Sequence, residues 1–138
     1  MIKILINKYF RILIWKIFKF EKWHISNLSK RGYAPDIIEF SNKKKFTSVV
    51  EIGVGIGDII RNIYAANKLC LDIDKKVLKA NKFLSYFNNK GSNQIAFKDF
   101  DIYKNHLEGR YDLIIMVNWI HNIESRILKK QFSNFINK

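Results

Sequence analysis

Two periodicities divide the chain. From Met1 to Phe20 the apolar residues recur at helical spacing. At about 100° per residue, Ile2, Ile6, Phe10, Leu13, Ile17 and Phe20 share one face, with Lys8, Arg11, Lys16 and Lys19 opposite. Basic residues interrupt this stretch repeatedly, so it falls short of the roughly 20 uninterrupted apolar residues of a membrane-spanning helix. A secretion signal is not expected either, since no small-residue cleavage site follows. A basic amphipathic helix of this kind suits an anionic membrane surface or packing on its own domain, and residues 1–20 carry both readings. Residues 22–33 are polar and irregular. Pro35 then opens a short helix to about Ser41, at a first-turn position where its missing N–H costs nothing, and 42–45 read as a solvated turn.

From Phe46 the period changes. Phe46–Ile52, Lys68–Leu71, Gln94–Phe97 and Tyr111–Val117 are short, largely apolar runs that read as buried strands. Between and after them, Asp58–Ala66, Lys75–Phe87 and Glu124–Ile136 carry helical spacing. Asp74 stands where an N-cap belongs. Strand–helix alternation predicts a parallel α/β sheet with right-handed crossovers over 46–138, preceded by a helical segment over 1–45.

Composition changes this picture in two places. With 48% apolar residues the 138-residue chain can bury a core, and its single Cys70 excludes a disulfide framework and suits a reducing cytoplasm. A net charge of +13 invites a polyanionic partner. Ile outnumbers Leu 23 to 10 and Lys outnumbers Arg 20 to 5, however, a drift expected of an AT-rich genome. The excess is also uneven. Residues 1–50 hold 11 basic and 3 acidic side chains (+8), while 51–138 hold 14 and 9 (+5), which favours a membrane surface over nucleic acid.

The candidate chemistry begins at Glu51-Ile-Gly-Val-Gly-Ile-Gly-Asp58, between a strand and an expected helix. Glycines at alternate positions allow a tight turn and close approach of a ligand to the backbone, beside the free N–H groups of a helix start. A dinucleotide fingerprint would need glycine at 58, where Asp58 stands, and no Lys-Ser/Thr pair completes a phosphate loop. Nineteen residues after Gly53, Asp72 ends the second strand, where a carboxylate can accept two hydrogen bonds from a ribose diol.

Four stretches in this order, Val50–Gly57, Leu71–Asp74, Ile95–Ile102 and Tyr111–Asn118, resemble the class I S-adenosylmethionine-dependent methyltransferases, over residues 46 to about 123. The resemblance implies a Rossmann-like parallel sheet of four strands, order 3-2-1-4, with flanking helices. It implies S-adenosylmethionine as cofactor, with Gly53, Gly55 and Gly57 lining its methionine and ribose portions and Glu51 reaching the ammonium. Asp72 would hold the ribose hydroxyls and Ile73 pack on adenine. Asp101 would accept from the adenine amino group, in preference to Asp99, with the Ile102 N–H facing the ring. Asn118 would sit beside the sulfonium, and Arg31 and Tyr33 are candidates for the cofactor carboxylate. Within the family, Glu21–His24 and Asn118–Ile123 look most similar to enzymes that methylate bacterial surface glycans, which implies a small or glycan-type acceptor.

A hydroxyl acceptor benefits from a base of near-neutral pKa, so His121 is the catalytic candidate beside Asn118, ahead of His24. No metal is expected, since the His and acidic residues show no ligand spacing. Against the family's seven strands this sheet is incomplete. That leads to the expectation of a truncated chain, or of one whose apolar fourth strand, at the edge, is covered by a second copy or another partner. The readings in competition are therefore a cytoplasmic methyltransferase, peripheral to the membrane's inner face; a non-catalytic cofactor-binding remnant or subunit; and, third, a nucleic-acid methyltransferase or binder, disfavoured because Asn118-Trp-Ile-His121 does not match an Asn-Pro-Pro-aromatic signature.

Overall fold

The computed structural model describes residues 8–26, 31–91 and 94–136. In chain order the elements are α1 (Lys8–Phe18), α2 (Tyr33–Lys44), β1 (Ser48–Ile52), β2 (Asn67–Asp72), α3 (Lys75–Ser85), β3 (Gln94–Asp99), β4 (Leu113–Ile115) and α4 (Ser125–Ile136), with single 3-10 turns at Lys22–Ile25, Ile60–Asn62 and Ile120–Asn122. The strands form one parallel sheet in the order β3-β2-β1-β4.

Alternation along β1 builds both faces of the core, because successive strand side chains point to opposite sides. Val49 packs with Cys70, Ile59, Ile60, Ile63 and Leu78, against α2 and α3. Val50 and Ile52 pack with Leu71, Phe100, Ile102 and Leu107, against Ile127, Leu128 and Phe132 of α4. At α3 the Asp74 carboxylate accepts from the N–H groups of Lys76 (2.8 Å) and Val77 (3.4 Å), the expected N-cap. Asp74→Ala should lower stability by about 1 kcal/mol, read as a shift in the denaturation midpoint.

The helix expected over Asp58–Ala66 does not form, and only the turn Ile60–Asn62 is helical. Three causes converge on this segment. Ile59, Ile60 and Ile63 are all buried, so the segment needs apolar contact around most of its circumference. Asn62 Nδ2 donates to the Asp58 carbonyl (2.8 Å), where a helical N–H would bond. Neighbouring elements take the remaining backbone groups: Asn42 Oδ1 accepts from Tyr64 N–H (2.7 Å), and the Arg61 carbonyl accepts from Lys90 N–H (3.0 Å).

α1 also departs from the face expected of it. Ile14 and Phe20 are buried against Ile56, Val77, Ala80 and Leu84, whereas Leu13 and Ile17 face solvent. Arg11, expected on the solvated side, is 5% exposed. Its guanidinium donates to both oxygens of buried Asp58 (2.9 and 2.8 Å) and to the Ser26 carbonyl (3.1 Å). A buried bidentate pair therefore docks α1 onto the glycine loop. Ile2 and Ile6 lie outside the described residues. Among those described, no helix is long and apolar enough to cross a membrane.

Candidate functional site

The chain leaves β1 toward β2 on one side and reaches β4 on the other, so the strand order reverses between β1 and β4. In open α/β sheets such a reversal leaves a crevice at the carboxyl ends of the strands. Here it opens into a cavity of about 520 Å³, within the size range of small-molecule sites. Glu51, Gly53 and Gly55 supply its floor, Asp72 and Ile73 one flank, and Phe100–Tyr103 the far end. Val117–Trp119, Asn122 and Ile123 close the β4 side. Trp23, His24, Ser26, Arg31 and Tyr33 cover it from the N-terminal segment.

The glycines have the left-handed backbone expected of a tight loop, with φ of 72° at Gly53 and 76° at Gly57. Protein side chains take up the space they free. The indole of Trp119 lies over Gly53 and donates from Nε1 to the Ile52 carbonyl (2.9 Å). The imidazole of His24 lies on Gly55, and the amide of Asn81 on Gly57 while its Nδ2 donates to the Gly55 carbonyl (3.3 Å). A Cβ at any of the three would come under 3 Å from these atoms. Gly53 and Gly55 line the cavity; Gly57, expected there too, is buried behind it.

Three carboxylates face the cavity in three electrostatic settings. Burial pushes Glu51 up to about 8, with the nearby Asp58 and Asp72 adding to the rise and the Ile60 N–H (3.1 Å) opposing it. Glu51 is thus a neutral acid at pH 7 until a cation arrives. Asp72 is also raised by burial, less so because Asp74 N–H (3.0 Å) and Gly55 N–H (2.8 Å) donate to its two oxygens. Each oxygen keeps a second lone pair for a ligand hydroxyl. Asp101 is held low by the Tyr103 N–H (3.0 Å) and by Lys104 (3.2 Å), so it stays an ionised acceptor. Ile73, 68% exposed, offers an apolar face beside Asp72, and Ile102 is buried next to Asp101.

At the β4 end Asn118 has φ 68°, a left-handed conformation that Asn tolerates better than most residues. Its Nδ2 donates to the Tyr33 hydroxyl, tying α2 to the tip of β4. Arg31 reaches Ser26 Oγ (3.1 and 2.6 Å) at the rim. His121 stands exposed on the turn Ile120–Asn122 and is not among the residues lining the cavity. The histidine inside is His24, stacked on Trp23 with ring centroids 3.5 Å apart. Burial lowers its pKa to about 4, with Asp74 opposing and Arg31 adding to the fall, so the ring is neutral.

Two further residues, Gln131 and Trp119, shape the site. Gln131 of α4 accepts from Leu107 N–H (3.1 Å) and donates to the Ile102 carbonyl (2.8 Å), holding the loop that carries Asp101. Its partners are 24 and 29 residues away, so no local pattern announces it. Trp119 was visible only as a large aromatic next to a strand end.

No family model and no curated protein matches the chain. Solved structures do. N-methyltransferase NodS from Bradyrhizobium japonicum WM9, in complex with S-adenosyl-l-homocysteine, superposes at TM-score 0.67 and 13% identity, over 93% of this chain and 65% of that one. The fold is that of S-adenosylmethionine-dependent methyltransferases. An S-adenosylmethionine-dependent methyltransferase from Clostridium acetobutylicum ATCC 824 matches at 0.58 and 20% identity, over 91% of this chain and 50% of that one. Magnesium protoporphyrin IX methyltransferase from Synechocystis PCC 6803, with S-adenosyl-l-homocysteine bound, matches at 0.56 and 18%, over 87% and 60%. The chain thus spans half to two thirds of these three structures. Its four strands have the 3-2-1-4 order of the Rossmann-like methyltransferase sheet.

Proposed function

We propose that the chain binds S-adenosylmethionine in this cavity and transfers its methyl group to a hydroxyl of a small or glycan-type acceptor. One observation carries the cofactor assignment: the Glu51 acid, the Asp72 carboxylate and the ionised Asp101 line a single cavity at the reversal point of a methyltransferase-type sheet. That donor set fits an ammonium, a ribose diol and an adenine amino group. Glu51 would take the ammonium, with Arg31 and Tyr33 near the carboxylate. Asp72 would hold the diol, Ile73 cover the adenine, and Asp101 with the Ile102 backbone read its edge. Gly53 and Gly55 supply backbone within reach.

The cofactor supplies an electrophilic methyl group, so positioning of the acceptor is the chain's main contribution to rate. Asn118 is the positioning candidate, since its amide stands at the cavity wall with Nδ2 engaged by Tyr33. His121 serves this reading as general base only if its exposed ring turns inward on acceptor binding. His121→Ala should then spare cofactor binding and reduce turnover, and undiminished turnover would assign it to the turn alone. For the cofactor site, calorimetry on Asp72→Ala should show affinity weakened by about 2 kcal/mol, or about thirtyfold, from the lost charge-assisted hydrogen bonds. No binding by the folded wild-type chain would reject the assignment.

The pairing of β4 favours a second reading. Among the described strands it pairs with β1 alone, leaving its other edge open. A non-catalytic cofactor-binding subunit completed there by a second copy or a partner chain would run as a defined oligomer on sizing, and a monomer would count against it.

A further inference from the structure

The outward side of α1 carries a stripe that nothing in the cavity explains. Tyr9, Leu13 and Ile17 follow one another at i, i+4 spacing and are 79%, 51% and 59% exposed. Helix packing does not require them there, because Ile14, with Phe20 just past the helix end, already packs against α3. Lys16 is exposed within the same sector, and Lys19 and Lys22 follow at the helix end. α3 continues this surface. Its exposed arc holds Lys76, Lys79 and Lys82 together with Phe83, and Tyr86 just past its end, while Lys75 pairs with Asp99 (3.4 Å). Phe83 joins the two helices, with its ring 5.7 Å from Phe18 of α1 and 5.2 Å from Phe87.

We infer that the outward faces of α1 and α3 dock on an anionic lipid bilayer, with Leu13, Ile17 and the aromatic rings entering the interface and the lysines resting on the headgroups. Three features select this occupant. Exposed apolar side chains interleaved with lysines are the pattern of an interfacial helix, and long lysine side chains reach headgroups while the apolar stripe sinks between them. No acidic residue stands on either helix. A nucleic acid would use the lysines but leave Leu13 and Ile17 without a purpose. The sequence carries Ile2 and Ile6 ahead of Tyr9 at similar spacing, outside the described residues. The face differs from the one read from periodicity, which included Phe10 and Phe20, since Phe20 is buried. The inference holds whatever the cavity binds.

The test is co-sedimentation of the full chain with phosphatidylcholine vesicles containing or lacking phosphatidylglycerol, at low and at physiological salt. Binding to the anionic vesicles is expected to exceed binding to the neutral ones at least about tenfold. The double variant Leu13→Asp/Ile17→Asp changes only exposed positions, so its thermal midpoint should match wild type while its partitioning falls at least about tenfold. Lys76→Glu/Lys79→Glu should weaken partitioning and reduce its salt dependence. Equal binding to neutral and anionic vesicles would overturn the inference. So would anionic binding untouched by Leu13→Asp/Ile17→Asp, which would mark a bare charge attraction that a polynucleotide could satisfy equally.

Discussion

Asp58→Ala should cost the protein about 3–5 kcal/mol, the largest loss expected of any single substitution here. Asp58 is 5% exposed and faces two buried guanidiniums, Arg11 at 2.8 and 2.9 Å and Arg61 at 3.5 Å. Removing the carboxylate leaves both cations without a counter-charge in an interior that already lowers the pKa of Arg61, chiefly by burial. Arg11 Nε and Arg61 Nη1 have no hydrogen-bond partner among the described residues even in the intact protein, so both guanidiniums are already incompletely satisfied. Against a typical total of 5–15 kcal/mol, the variant should be partly unfolded at 37 °C. Urea denaturation checks this directly, and a loss under 1 kcal/mol would show that the cluster contributes little. Arg11→Met should cost less, because Asp58 keeps Arg61 and the methionine keeps much of the packing. It should also loosen the segment that carries His24 and Arg31 over the cavity, and so weaken ligand binding.

The second large effect concerns pH. Glu51 has a folded pKa of about 8 against an ordinary value near 4.5, so between those limits the folded state holds a proton that the unfolded state has released. Stability therefore falls as pH rises across that window, by up to about 1.4 kcal/mol per unit. His24 acts in the opposite sense. Its pKa is lowered to about 4 from 6.5, so stability is lost as pH falls from 6.5 toward 4. The His24 slope opposes that of Glu51 between pH 4.5 and 6.5, with the raised Asp72 adding to the Glu51 side, and from pH 6.5 to 8 the Glu51 slope predicts a decline. Glu51→Gln should abolish the decline and leave the protein more stable than wild type at pH 8, as read by denaturation midpoints across a pH series. A ligand ammonium reverses this balance, since it binds the ionised form. Affinity for S-adenosylmethionine should rise with pH up to about 8, by as much as tenfold per unit, and Glu51→Gln should remove that dependence along with most of the affinity. A pH-independent affinity in the wild type would separate Glu51 from the ammonium.

Much of the architecture was legible because local signals agreed. The apolar runs around Val49, Leu69 and Ile114, the cap at Asp74 and the helical spacing of Lys75–Phe87 all point to the same α/β order. The helix expected after the glycine loop failed because its spacing is real while its surroundings are not those of an amphipathic helix. Ile59, Ile60 and Ile63 are buried on more than one side, and the side chains of Asn42 and Asn62 occupy backbone groups that helical bonds would need. The lining of the cavity was legible where it follows strand ends, as at Glu51, Asp72 and Asp101. It was illegible where contacts join distant segments: His24 on Gly55, Trp119 on Gly53 and Gln131 on the Ile102 loop.

By itself the sequence determined the four strands, the helices that follow β2 and β4, the glycine loop and the carboxylates at the strand ends, because these depend on residues within a few positions of one another. Only the tertiary structure decided what the glycines admit, which face of α1 is buried, and that one histidine lies inside the cavity while another faces solvent. Asp58 shows the difference most sharply. In the sequence it merely excluded a dinucleotide fingerprint; in the fold it is the buried anion on which Arg11, 47 residues away, docks the N-terminal helix. Such pairing is set by burial, which makes an unpaired charge too costly to leave, and burial is a property of the assembled chain.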